Sequence, residues 1–241
     1  MKRKITAEWN GVTLRPKQSE IISPLVCNPY YLLVWKMRSG KTYPLLIAAD
    51  LIGGATLVVC PPAVLPVWKE AVVKLGIKVK VDVVSSGSLH KVQKESVYTT
   101  LIIDEIHQYR TYSNRFKALQ KIRSKVKHCY GATGTPIDKD LHESFYMVQL
   151  LDKGELLGTN KQTFLEATCT PTVQGDRITW VLTEEHKEPF KRLLSKFVST
   201  YFPEELEEPE VKYYRYPMTP VQERFIKETL APIKKLSLIH I

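Results

Sequence analysis

Apolar residues in this chain gather into short unbroken runs separated by helix-length segments. Tyr31-Leu32-Leu33-Val34-Trp35, Thr56-Leu57-Val58-Val59-Cys60 and Thr100-Leu101-Ile102-Ile103 each read as a buried strand of the kind found in parallel sheets. Val79 to Val84 and Val126 to Tyr130 add two further strands. Between them lie helical patterns. Pro16 opens one with an inner face of Ile21, Ile22 and Leu25; Leu45 to Ile52 forms a mostly buried one stopped by Gly53-Gly54; Val67 to Val73 forms a third, with Trp68 read as core. This alternation predicts an α/β fold, a mostly parallel sheet flanked by helices.

After Ile137 the pattern changes. Leu141, Phe145, Val148 and Leu151 suggest a helix, followed by a loop carrying Gly154 and Gly158. Thr183 opens another whose apolar stripe is read through Phe190, Leu193, Leu194, Phe197, Val198 and Tyr201. Glu204, Glu205, Glu207, Glu208 and Glu210 read as a solvated loop, Val211 to Tyr216 as a strand, and Thr219 to Gln222 as a capping box opening a last helix.

Chemistry concentrates where the strands end. The first run breaks into Ser39-Gly40-Lys41-Thr42 and then a helix, which suits a phosphate group: backbone N–H groups point inward, Gly40 permits close approach, Lys41 reaches the outer phosphates and the Thr42 hydroxyl holds Mg²⁺. Gln18, one turn into the preceding helix, carries both donor and acceptor and is either an adenine reader or a solvated surface residue. Pro61-Pro62 turns the chain out at a strand's carboxyl edge, where open α/β sheets place ligands. Ser85-Ser86-Gly87-Ser88 suits either a phosphate backbone or an ordinary turn. The strand read from Thr100 to His107 delivers Asp104 and Glu105 at its tip. Two adjacent acids there either serve a metal and an attacking water or cap the next helix. Gly131 to Ile137 is expected to be a mobile polar loop that senses phosphate state.

The chain has 241 residues, of which 44% are hydrophobic and 25% charged, an ordinary globular balance. Lys and Arg number 35 against 25 Asp and Glu, a formal charge of +10, which favours a polyanionic partner over a neutral one. Cys27, Cys60, Cys129 and Cys169 lack metal-ligand spacing and read as free thiols in a reducing cytoplasm. No apolar run approaches bilayer-spanning length and no signal peptide is read, so no membrane is expected.

The ordered set resembles the first RecA-like motor domain of superfamily 2 helicases, and within them the Swi/Snf-like DNA translocases. LRPKQ (14–18) is similar to the adenine-reading element, WKMRSGKT (35–42) to motif I, VVCPPAVLPVWKEAV (58–72) to motif Ia, DEIH (104–107) to the motif II box in a DEAH-like form, and ATGTPI (132–137) to motif III. FYMVQLLDKGELLG (145–158) and EVKYYRYPMTPVQERFIKE (210–228) resemble the family's later segments. The resemblance implies a RecA-like P-loop NTPase domain with a C-terminal helical extension, using ATP and Mg²⁺ and tracking double-stranded DNA. It implies nucleotide contacts from Gln18, Met37, Arg38, Ser39, Gly40, Lys41 and Thr42, metal ligation by Thr42 and Asp104, catalysis by Lys41, Asp104 and Glu105, and coupling to DNA through His107, Thr133, Thr135, Pro61 and Ser86.

Trp35 and Arg38 depart from the family pattern, which more often has a small or acidic residue and a glycine there, and the short spacing from Pro62 to Asp104 resembles phage and prophage members. A cytoplasmic setting in a prokaryotic or phage-infected cell is therefore expected. The expected division is a core at 1–138, an extension of the same lobe at 139–235 and a non-native tail at 236–241, LSLIHI, which coincides with a translated transposon-end adapter. A second RecA-like domain is then expected beyond the given residues. A motor subunit of a restriction or nuclease system, or a nucleotide- or DNA-binding module without turnover, are the alternative readings.

Overall fold

The structure, a computed structural model, describes residues 8–92, 97–135, 141–174 and 177–203. The chain begins with a ribbon of β1 (Glu8–Trp9) and β2 (Val12–Thr13), pinned where the Trp9 indole donates to the Leu75 carbonyl at 3.1 Å. There follow α1 (Pro16–Cys27), β3 (Tyr30–Trp35), α2 (Thr42–Ile52), β4 (Thr56–Cys60), α3 (Leu65–Lys74), β5 (Val81–Ser85), β6 (Thr100–Asp104), α4 (Asn114–Arg123) and β7 (His128–Thr133). The rest runs α5 (Phe145–Asp152), α6 (Lys161–Thr168), a hairpin of β8 (Cys169–Gln174) and β9 (Arg177–Leu182), α7 (Glu184–Ser195) and β10 (Val198–Tyr201).

Six strands form one sheet in the order β10-β3-β7-β6-β4-β5, and each neighbouring pair is parallel. This is the α/β architecture expected of a RecA-like P-loop domain. The unbroken apolar runs follow from it, because β3, β4 and β6 are covered on both faces; Leu32, Leu33, Val58, Val59, Ile102 and Ile103 are fully buried. Parallel neighbours need crossovers, and crossovers are right-handed. The chain moves one way from β3 through α2 to β4 and on through α3 to β5, then the opposite way from β6 through α4 to β7. Right-handedness thus assigns α2 and α3 to one face and α4 to the other. The packing agrees: α2 meets α1 and α3, while α4 meets α5 and the 3₁₀ turn Ser86–Lys91.

Three boundaries differ from the sequence reading. The strand read through His107 stops at Asp104, because Glu105 adopts a left-handed conformation (φ 50, ψ 49) and Ile106–Tyr109 winds into a 3₁₀ turn. The strand read as ending at Tyr130 continues to Thr133, so Gly131, Ala132 and Thr133 are buried sheet rather than mobile loop. The stripe read through Tyr201 as helix breaks after Ser195, and Val198 to Tyr201 instead pair with Leu32 to Trp35 as a sixth strand. The β1–β2 ribbon, helices α4 and α6 and the β8–β9 hairpin, short or without a strong apolar period, are not predicted from the sequence. Pro136 and Ile137, the acidic run, the strand at 211–216, the last helix and the 236–241 tail lie outside the described residues.

Trp35 finds its reason in β10. Its ring is fully buried, meets Tyr201 edge to face at 5.4 Å between centroids, and its indole donates to Ser199 Oγ at 3.1 Å. The large side chain thus clamps the edge strand and leaves the following loop unobstructed. All four cysteines are free; Cys60, Cys129 and Cys169 behave as small buried hydrophobes while Cys27 is exposed, and burial pushes Cys60 up to about 12 and Cys129 to about 11. No helix among the described residues is long and apolar enough to cross a membrane.

Truncating Trp35 should therefore be severe. Trp35→Ala is expected to cost about 3–5 kcal/mol in urea unfolding, with Trp35→Phe recovering part of it, since the Ser199 hydrogen bond and part of the buried ring volume are still lost. An unchanged unfolding midpoint in Trp35→Ala would contradict the clamp.

Candidate functional site

Because every strand of the sheet points the same way, the segments after β3, β4, β5, β6 and β7 all emerge on one edge. A cavity of about 760 Å³ opens there, and its walls include Gln18, Met37, Arg38, Gly40, Lys41, Thr42, Asp104 and Glu105. Eight of the residues singled out in the sequence thus converge, from α1, the turn before α2 and the tip of β6.

The turn from Lys36 to Lys41 is held in shape by its neighbours. Arg38 (φ 63) and Gly40 (φ 80) both take the left-handed conformation. Gln18 spans the gap: its Oε1 accepts the Arg15 N–H at 2.8 Å, closing the first turn of α1, and its Nε2 donates to the Gly40 carbonyl at 2.8 Å. Arg15 Nη1 adds a bond to the Arg38 carbonyl at 3.1 Å. Gln18 is 5% exposed, so the solvated-surface alternative is wrong; its amide braces the turn. Only glycine fits at position 40, because a Cβ there would lie 2.2 Å from Gln18 Nε2.

Lys41 folds back onto the turn, donating to the Trp35 carbonyl at 3.0 Å and the Lys36 carbonyl at 3.4 Å. Burial lowers its pKa, opposed by the charges of Glu105 and Asp104. Ser39 is wholly buried, and its hydroxyl has no hydrogen-bond partner among the described residues.

Opposite stand the two acids. Burial raises the Asp104 pKa, with the Glu105 charge adding to the rise; hydrogen bonds from Trp68 and the Glu105 backbone and the charge of Lys41 pull it back. The Trp68 indole donates to Asp104 Oδ2 at 2.9 Å and the Glu105 N–H to Oδ1 at 3.0 Å, which fixes the carboxylate plane. The left-handed backbone at Glu105 is strained for a residue with a Cβ, at a typical cost of about 1–3 kcal/mol. It turns the Glu105 side chain back to His107, whose Nδ1 lies 3.1 Å from Oε2. The same Nδ1 lies 2.9 Å from Thr133 Oγ1, which also accepts the Thr135 N–H at 3.0 Å. The coupling candidates His107, Thr133 and Thr135 thus lie together behind Glu105, whose Oε2 is close to His107 but has no hydrogen-bond partner among the described residues.

Pro61 and Ser86 sit on the same sheet edge but not in the cavity wall, and Ser86 is buried at the start of its 3₁₀ turn. Trp68 was read from sequence as core only. It is core, at 1% exposure, yet its ring nitrogen also orients Asp104. Tyr43, Glu70 and Lys74 extend the wall along α2 and α3, and Lys74 and Glu70, four apart on one helical face, were the available signal.

No protein-family profile and no curated protein matches this chain. Among solved structures it is similar to the helicase domain of Hef from Pyrococcus furiosus, at 16% identity and a TM-score of 0.47. The match covers 57% of this chain and 36% of that one.

Two substitutions test the geometry. Gly40→Ala is expected to lower the thermal midpoint, and adding Gln18→Ala to relieve the steric part while leaving about 1–2 kcal/mol of left-handed strain. Trp68→Phe keeps the bulk but removes a bond that favours the charged carboxylate, so Asp104 should titrate at still higher pH in a carbon-13 carboxyl titration. An unmoved titration would show that the indole does not set that group.

Proposed function

We propose that this chain is the ATP-binding lobe of a nucleic-acid motor of the superfamily 2 type, Swi/Snf-like, that hydrolyses ATP while tracking double-stranded DNA. The observation that carries the reading is the convergence of a lysine, a threonine and two adjacent acids on one cavity at the carboxyl edge of a parallel sheet. The residues fit a Mg²⁺–triphosphate. Lys41 and Thr42 stand in the cavity wall beside Asp104 and Glu105, half-buried acids that gain from a cation near them, whereas Ser39 is buried behind the wall. Among the described residues no cluster of three or more protein ligands occurs, which suits Mg²⁺, an ion that takes most of its shell from phosphate and water.

In this reading Lys41 leaves the Trp35 and Lys36 carbonyls for the outer phosphates, and the Thr42 hydroxyl and Asp104 hold the metal. Bound Mg²⁺ would neutralise charge on the transferring phosphoryl group. Glu105 orients the attacking water and takes its proton as the terminal phosphate separates from ADP. His107 steadies Glu105 and, through Thr133 and Thr135, links its position to the loop after β7. Gln18 connects the base side of the cavity to the turn. Met37 and Arg38 stand on the rim, with Arg38 and Arg15 adding positive charge. Double-stranded DNA and a second RecA-like lobe that closes over the nucleotide are the implied partners, and ATP and Mg²⁺ the implied cofactors.

Phosphate release with and without duplex DNA, beside binding of a fluorescent ATP analogue, tests this. Lys41→Ala should lose nucleotide affinity by more than about tenfold, consistent with a charge-assisted contact. Glu105→Gln should keep affinity while turnover falls by roughly 10²–10⁴, the usual contribution of a general base. Equal ATP binding by Lys41→Ala would refute the site. ATP binding with no turnover above that of Glu105→Gln would leave a nucleotide-binding module in place of a motor.

A further inference from the structure

A second cleft, of about 520 Å³, lies away from the first, between α4, α5 and the start of α6. We propose that it binds an unpaired nucleotide of a single-stranded nucleic acid, stacking the base on Tyr112 and Tyr146 and pairing the adjoining phosphate with Lys117 and Lys161.

The two tyrosine rings are stacked, with centroids 5.7 Å apart and planes at 29°, and Tyr112 is 56% exposed. An aromatic of that size exposed at a cleft mouth is a surface awaiting a flat partner. Each ring carries a lysine: Lys117 Nζ sits 4.8 Å from the Tyr112 centroid and Lys161 Nζ 5.2 Å from that of Tyr146. Base–aromatic stacking outweighs an exposed cation–π contact, so an incoming base displaces the ammonium groups, which are then free to take the phosphate. Phe116 and Phe145 brace Tyr146 edge to face from behind, which makes the platform rigid.

An independent feature points to a ligand in the same place. Gln149 is 4% exposed and lines the cleft; its Nε2 donates to the Thr159 carbonyl at 3.1 Å, but its Oε1 has no hydrogen-bond partner among the described residues. A buried acceptor without a donor is costly, and the exocyclic amine or ring N–H of a base supplies one. Gln120, Asn160 and Gln162 add amides to the walls, and no described wall residue is acidic. Glu166, nearby, is engaged by Gln162 at 2.7 Å. From Ile106 to Ile137 the chain holds no Asp or Glu, and Arg115, Lys117, Lys121, Lys125 and Lys127 are exposed, while Arg123 is buried and Arg110 pairs with Glu143, so the exposed charge of this segment is positive. An acidic peptide would satisfy the lysines and bring backbone N–H donors to the orphan amide, but its carboxylates offer no flat face to the rings. A paired base hides its face, hence the preference for unpaired nucleotides.

Fluorescence anisotropy of labelled oligothymidylate and of a labelled blunt duplex, both without ATP, tests the site independently of the ATP reading. Tyr112→Ala should weaken single-strand binding roughly tenfold, Tyr112→Phe should leave it unchanged, and duplex binding should not move. Lys161→Ala should reduce the slope of log affinity against log salt by about 0.7, one phosphate contact on a single strand. Thermal unfolding of each variant shows that the fold is kept. The proposal falls if Tyr112→Ala binds the single strand as well as the parent does, if it weakens duplex equally, or if polyglutamate displaces the oligonucleotide with the same dependence on Tyr112.

Discussion

The central sheet and the cavity at its edge depend on the parallel pairing of its six strands. Parallel hydrogen bonding forbids tight hairpins, so each strand must be followed by a crossover, and all carboxyl ends finish on one edge. Residues as far apart in sequence as Gln18, Lys41 and Glu105 become neighbours for that reason alone. The pairing of Tyr30 to Val34 with Cys129 to Thr133, and of Thr100 to Asp104 with His128 to Ala132, also brings Thr133 beside the turn that carries His107. The contact of His107 with Thr133 behind Glu105 is therefore a product of register.

The second organising force is the cost of charge near the core. Burial pushes the Lys41 pKa down and the Asp104 pKa up, so both groups are held against solvation. The protein manages this with local donors and acceptors: carbonyls of Trp35 and Lys36 for the ammonium, the Trp68 indole and a backbone N–H for the carboxylate. The same device recurs far from the site, where Arg123, 3% exposed, donates to the carbonyls of Val126, Leu150 and Leu151, and Asp152 accepts the N–H groups of Gly154 and Leu156. Those two groups serve the fold. The pair at the cavity differs in that Lys41 is held by carbonyls of its own turn, while Asp104 is held by an indole from α3 and by the N–H of the next residue.

Much of the cavity was legible in the amino-acid order. Ser39-Gly40-Lys41-Thr42 after an apolar run, and Asp104-Glu105 after another, combine a strand period with residues that are expensive to bury, and such pairs have few structural uses. The Trp68 contact was not legible, since an indole on an apolar helix face reads as core whether or not its N–H has a partner. Nor was the purpose of Trp35, because the strand it grips, Val198 to Tyr201, shares its apolar pattern with the helix that precedes it. Short β-branched and aromatic segments acquire their conformation from the edge that receives them.

By itself, the order of residues determined the layered α/β class, the positions of the central strands and the helices between them, and part of the wall of the first cavity, because hydrophobic period and buried-charge cost are local properties. Tertiary structure alone decided which distant residues meet. It turned Gln18 into a brace for Gly40, set the Trp68 indole on Asp104, gathered His107, Thr133 and Thr135 behind Glu105, and stacked Tyr112 on Tyr146. Each of these depends on strand register and crossover handedness, which arise only when the whole sheet is assembled.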